Sequence, residues 1–170
     1  MSIQDHPRWF SLSDGTTELV ANVQDCLNYT QDFETIGGSS LVRMMSGKGL
    51  KQTNWQKLKV SISGNGGFPF GFGSLDYTKK ITVKCGAPRA LVKATNTFTL
   101  PPNRRTDVNY EPYVLKLSDG VWIPETAAGI ATAYKLLYWP ELVCFMEPPQ
   151  ESLSWEGSPP TSWSITAEEA

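Results

Sequence analysis

Residues 56–73 read QKLKVSISGNGGFPFGFG. In the first eight, Leu58, Val60 and Ile62 alternate with Lys57, Lys59 and Ser61, the period of a β-strand with one wet face. The next ten, GNGGFPFGFG, hold five glycines, one proline and three phenylalanines. They fail the Walker template, which needs a lysine and a hydroxyl after its last glycine, because Gly73 is followed by Ser74 and Leu75. They also fail the dinucleotide fingerprint, whose glycines must open a helix. Downstream the chain runs into KKITVKC, where Ile81, Val83 and Cys85 alternate with Lys80, Thr82 and Lys84, a second strand. The glycine-rich segment therefore reads as a connector between strands, and Pro69 holds Phe68 extended. Its rings have three readings: a cap on this chain's own barrel, an insertion against a neighbouring subunit, or a stacking platform. Phe68, Phe70 and Phe72 are taken as interface candidates.

The same alternation recurs in YVLKL at 113–117 and SWSIT at 162–166. It is less regular in RWFSLS at 8–13, SLVRMM at 40–45, ALVKATNTFTL at 90–100, KLLYW at 135–139 and ELVCFM at 141–146. FSLSDG at 10–15 and LKLSDG at 115–120 both run a strand into an Asp-Gly turn, which supplies the positive φ of a tight hairpin. Twelve prolines and fourteen glycines punctuate these segments. The pattern predicts a mainly β protein, an antiparallel β-sandwich or partly open β-barrel of roughly eight to ten strands with extended loops and terminal arms. A single helix is expected, over residues 21–33. One β domain is expected over 1–150, with an N-terminal arm at 1–8. Residues 151–170, a stretch with Trp155 between the Pro-Pro pairs at 148–149 and 159–160, are expected to form an arm that returns through a final strand.

The chain has 170 residues, with 15 Lys and Arg against 17 Asp and Glu. A net charge of -2 argues against nucleic acid as a partner, since such affinity comes from a basic surface releasing counterions. No apolar run approaches the roughly 20 residues of a membrane helix, so a soluble protein without membrane contact is expected. Cys26, Cys85 and Cys144 are far apart and unpaired with His, which fits buried thiols in a reducing cytoplasm and neither a disulfide framework nor a zinc site. No metal or other cofactor is expected.

His6 is the only histidine, in the stretch before Pro7, so no Ser/His or Cys/His nucleophile system has a base. Asp76, Asp107, Glu111, Asp119, Glu125 and Glu141 could in principle supply a glycosidase pair, but the sequence brings no two of them together. A non-enzymatic protein is expected. In PPNRRTDVNYEPY at 101–113, Arg104 and Arg105 lie beside Asp107 and Glu111 between prolines. A stiff loop with both signs suits intersubunit ion pairs, or an arginine–aspartate pair inside the fold. Arg104 and Arg105 are interface candidates on this reading, together with Trp155. Trp55, Trp122, Trp139 and Trp155 offer rings for the competing reading, a carbohydrate-binding module.

KQTNWQKL at 51–58, ISGNG at 62–66, Leu75-Asp76-Tyr77, CGAPRA at 85–90, LPPNRRTDVNYEPY at 100–113, YWPEL at 138–142 and WSITAEEA at 163–170 together resemble a family of small structural proteins of bacteriophage tail modules. Where that family has Trp-Xaa-Pro after the ISGxG glycine, this chain has Gly67-Phe68-Pro69. The resemblance implies a β-rich tail-tip or baseplate component without cofactor or catalytic residues, present in the virion and made in the host bacterial cytoplasm. Its implied partners are other tail proteins (tube, sheath or baseplate hub) and copies of itself in a ring around the tail tube. The alternatives are a glycan-recognition module and, third, a carboxylate-based glycan hydrolase.

Overall fold

The computed structural model describes residues 9–22, 26–154, 156 and 160–170. The expected arm at 1–8, His6 and Trp155 lie outside them. The strands are β1 (Ser11–Ser13), β2 (Glu18–Val20), β3 (Asn28–Arg43), β4 (Gly49–Gly66), β5 (Ile81–Lys84), β6 (Arg89–Lys93), β7 (Tyr113–Ser118), β8 (Val121–Pro124), β9 (Ala133–Tyr138), β10 (Glu141–Met146), β11 (Gln150–Leu153) and β12 (Thr161–Glu169). They form two antiparallel sheets, of eight and four strands, and no closed barrel. Among the described residues there is no α-helix, only a short 3-10 turn at Phe72–Ser74.

The large sheet runs β2-β1-β5-β10-β12-β4-β3, with β11 also paired to β12. Its inner face is the alternation read from the sequence: Val60, Ile62, Ile81, Val83, Leu142, Cys144, Trp163 and Ile165 are buried in one cluster. The sheet rolls onto this core. Phe10, next to β1, has its ring 5.4 Å from that of Tyr29 on β3, although those strands stand near opposite ends of the order. Such closeness without pairing defines an open roll.

The expected helix over 21–33 does not form. Cys26 N–H donates to Asn22 O, and from residue 28 the chain is strand β3. Tyr29 and Phe33 pack against the core while Thr30, Asp32 and Glu34 face out, and sixteen residues pair with β4. A period of two with aromatic rings on one face selects the strand.

The glycine-rich segment is also partly strand. Gly64, Asn65 and Gly66 belong to β4 and pair with Trp163, Ser162 and Thr161 of β12. Glycine is required at 64, because a Cβ there would lie 2.6 Å from Cζ2 of Trp163 and 2.7 Å from the Asn28 carbonyl. The final strand expected near the C-terminus is present as β12, Thr161–Glu169. β12 lies inside the large sheet, with β4 on one side and β10 and β11 on the other.

The small sheet runs β6-β9-β7-β8. At the β7–β8 turn Asp119 and Gly120 take φ of 51° and 78°, as the Asp-Gly signal requires. Lys116, buried in β7, turns its ammonium onto the carbonyls of Ala127 and Gly129 and so fastens the loop after β8. β9 passes through Trp139-Pro140 straight into β10, so this dipeptide joins the two sheets. Cys85 N–H donates to Pro140 O at 2.9 Å and Arg105 N–H to Trp139 O at 2.8 Å, which hold the joint on both sides.

Candidate interaction surfaces

β3 and β4 extend well past the sheet. β12 accompanies β4 only as far as Lys59, and every residue from 39 to 56 is exposed, so that part is a free-standing two-stranded ribbon. Its base is marked by a bulge: register shifts between Gly38 and Ser39, leaving Asn54 without a partner across the ribbon. Trp55 lies over Gly38, where a Cβ would meet the indole Nε1 at 2.7 Å. From there to Arg43 the ribbon reaches roughly 20 Å at ~3.4 Å per residue. Met44 N–H donates to Lys48 O, and Gly47 N–H to Met44 O with Gly47 at φ 78°, closing the tip.

The ribbon exposes Leu41, Val42, Met44, Met45, Leu50 and Trp55, with Met45 wholly in solvent. Register places Val42 beside Leu50 on one face and Leu41 beside Lys51 on the other. A lone hairpin is marginally stable in water at best, and a ribbon apolar on both faces gains most by being covered. Its charge is one-sided. Residues 39–56 hold Arg43, Lys48 and Lys51 and no acid, leaving twelve basic against seventeen acidic residues, a net of -5, on the rest of the chain.

A second surface lies on the outside of the large sheet. Tyr77, Phe145, Met146, Glu147, Thr166 and Glu168 line an open pocket of about 410 Å³. The Phe145 ring is exposed with the Lys80 ammonium 5.3 Å from its centre, and Glu168 pairs with Lys59 at 3.5 Å. Tyr77 donates to Phe72 O at 2.7 Å, and burial, helped by the Glu151 carboxylate, pushes its phenol up to about 12.

The residues singled out from sequence are scattered by the fold. Phe70 and Phe72 are buried and stack on each other at 4.7 Å, and both rings also meet Trp163. The chain's own core takes them up, which corrects their interface reading; only Phe68, 59% exposed, stays on the surface. The physical reason is the 3-10 turn, which folds Phe72 back toward Phe70 where an extended ribbon would have splayed them.

Arg105 is likewise internal, 6% exposed. Its Nε and Nη2 donate to Asp107 Oδ2 at 3.1 and 2.7 Å, and its Nη1 donates to the carbonyls of Trp9 and Cys85 at 2.8 and 3.0 Å. The guanidinium lies 3.3 Å from the centre of the Tyr110 ring. Tyr110 in turn donates to Trp9 O and meets Trp139 edge-on. Of the two readings of the arginine loop, the internal arginine–aspartate pair holds for Arg105. Arg104 is half-buried, donates to Pro101 O at 2.9 Å and lines an open pocket with Glu141 and Glu169.

Among the four tryptophans weighed as sugar platforms, Trp139 is 2% exposed and has no face to offer. Trp122 is half-buried under the Lys135 ammonium, and Trp55 is exposed on the ribbon. The ribbon itself is not among the sequence expectations. Its signal is present in SLVRMM and KQTNWQKL, two strand-like segments around Ser-Gly-Lys-Gly with apolar residues on both faces and no acid. Among the described residues, no three His, Cys, Asp or Glu side chains are grouped so as to hold a metal. No protein-family model matches this sequence, and neither curated proteins nor solved structures show a match to it.

Proposed function

We propose that this chain is a non-enzymatic structural component of a bacteriophage tail, at or near the baseplate or tail tip, that links neighbouring tail proteins around the tube. The observation that carries the reading is the ribbon of residues 39–56, basic, apolar on both faces and standing free of the body. Such an element suits a subunit whose contacts are completed by other subunits, as in heterologous ring assembly. The tail-protein resemblance of residues 40–170 supplies the setting. Mass spectrometry of purified virions tests it: the chain is expected as a stoichiometric virion protein, and its absence from mature particles would overturn the proposal. The exposed Trp55 ring keeps glycan recognition as the second reading. A glycan array on which binding is lost with Trp55→Ala would favour that reading over assembly.

A further inference from the structure

The ribbon tip and the Tyr77–Phe145 pocket are complementary in three respects. The tip presents two exposed thioether side chains, Met44 and Met45, and the pocket offers two aromatic rings, Tyr77 and Phe145. Sulfur–aromatic contact is favourable, and unbranched methionine adapts to an open, irregular pocket. The tip is flanked by Arg43 and Lys48, and the pocket carries Glu147 and Glu168 at its rim, with Glu151 close to Tyr77. Lys59 already pairs with Glu168 and Lys80 caps Phe145, whereas Glu147 and Glu151 have no ion pair among the described residues. Finally, the excess acid on the rest of the chain makes another copy's body a charge complement of the ribbon.

We propose that the ribbon tip of one copy, Met44 and Met45 foremost, seats in the Tyr77–Phe145 pocket of a second copy, with Lys48 paired to Glu147. Tip and pocket are different surfaces of the same chain, so the contact is head-to-tail and repeats from copy to copy, closing a ring where the rotation allows. The pairing deepens the assembly reading and rests on it. It can nevertheless fail separately, because virion composition tests the reading and purified protein tests the contact.

The experiment uses the full chain with a photoreactive phenylalanine in place of Met45, mixed with an isotopically heavy, unsubstituted copy. Irradiation is expected to yield light–heavy cross-linked peptides joining position 45 to Tyr77 or to the Phe145-Met146 segment. In sedimentation, Lys48→Glu is expected to weaken self-association about tenfold and Glu147→Lys, added to it, to restore most of the loss. Met44→Ser with Met45→Ser is expected to weaken it at least as much, and because both side chains are solvent-exposed the thermal transition should not move. Added salt should weaken association, as for any exposed charge pair. Light–light cross-links only, cross-links to another surface, or a monomer unaltered by these substitutions would overturn the proposal. So would retention of the protein by duplex DNA or anionic phosphatidylglycerol vesicles without self-association, which would give the basic ribbon a different occupant.

Discussion

Replacing Arg105 by alanine removes a side chain that ties its own loop to Trp9 and Cys85 beside the joint between the sheets. Loss of its Nη1 leaves Cys85 O facing the space it vacates, and an unsatisfied buried acceptor costs about 1–3 kcal/mol, whereas Trp9 O keeps the Tyr110 hydroxyl as a donor. Asp107 loses a bidentate partner, but it retains Lys84 at 3.7 Å and is about a third exposed, so water and that ammonium offset much of its loss. Contact with the Tyr110 ring adds about 1 kcal/mol. The total is about 2–4 kcal/mol. In urea, with a slope of about 2 kcal/mol per molar, the midpoint should fall by roughly 1–2 M. Arg105→Lys should recover only part, since a point charge on a flexible stem cannot reproduce the fork. Arg104→Ala is the internal control and should shift the midpoint by less than about 0.5 M, because Arg104 holds a single carbonyl at the surface. Equal shifts for Arg104→Ala and Arg105→Ala would refute the assignment of Arg105 to the joint.

Phe70→Ala and Phe72→Ala should each destabilise the purified protein by about 3–5 kcal/mol in chemical denaturation, as loss of a stacked core ring does; a loss below about 1 kcal/mol would return these rings to the surface. Gly64→Ala should cost about 1–3 kcal/mol by overpacking against Trp163, and pairing it with Trp163→Phe should relieve part of that loss. Asp14 accepts backbone N–H bonds from Thr17, Asp76 and Thr16, which hold its carboxyl down at about 2. Its folded value is depressed, so its contribution is complete above the ordinary value of roughly 4 and fades as pH falls through 2; NMR titration of the carboxyl should show that midpoint, and Asp14→Asn should flatten the acid limb of stability. Burial pushes the Cys85 and Cys144 thiols up to about 12, so at pH 8 iodoacetamide should modify them in urea and leave them intact in the folded protein.

The large sheet is legible in the sequence wherever one face is wet. QKLKVSIS, KKITVKC and SWSIT announce β4, β5 and β12 because charge or hydroxyl alternates with apolar side chains at each. β3 is hidden because Ala21, Gln24 and Leu27 before it allow a helix and only long-range pairing with β4 selects the strand. ALVKATNTFTL reads as one long strand, but only Arg89–Lys93 pairs, since β9 offers no partner beyond Tyr134. The interior role of Arg105 cannot be read locally, as its partners Trp9 and Cys85 stand 96 and 20 residues away. The ribbon escapes notice for a related reason: alternation tells which residues share a face, and only the three-dimensional packing shows that neither face is covered.

The central position of β12 has a consequence for synthesis. β4 leaves the ribosome about a hundred residues before its neighbour β12 does, which at roughly 5–20 residues per second is a wait of several seconds. Throughout that interval β4 has β3 on one side and an open edge on the other, while Val60 and Ile62 lack the cover of Trp163 and Ile165. The nascent chain therefore carries an adhesive half-sheet until residues 161–169 arrive to insert between β4 and β10. Two nascent chains on one messenger could meet edge to edge in that window. The lysines at 57 and 59, spaced along the waiting strand, supply the like-charge repulsion that keeps such edges apart.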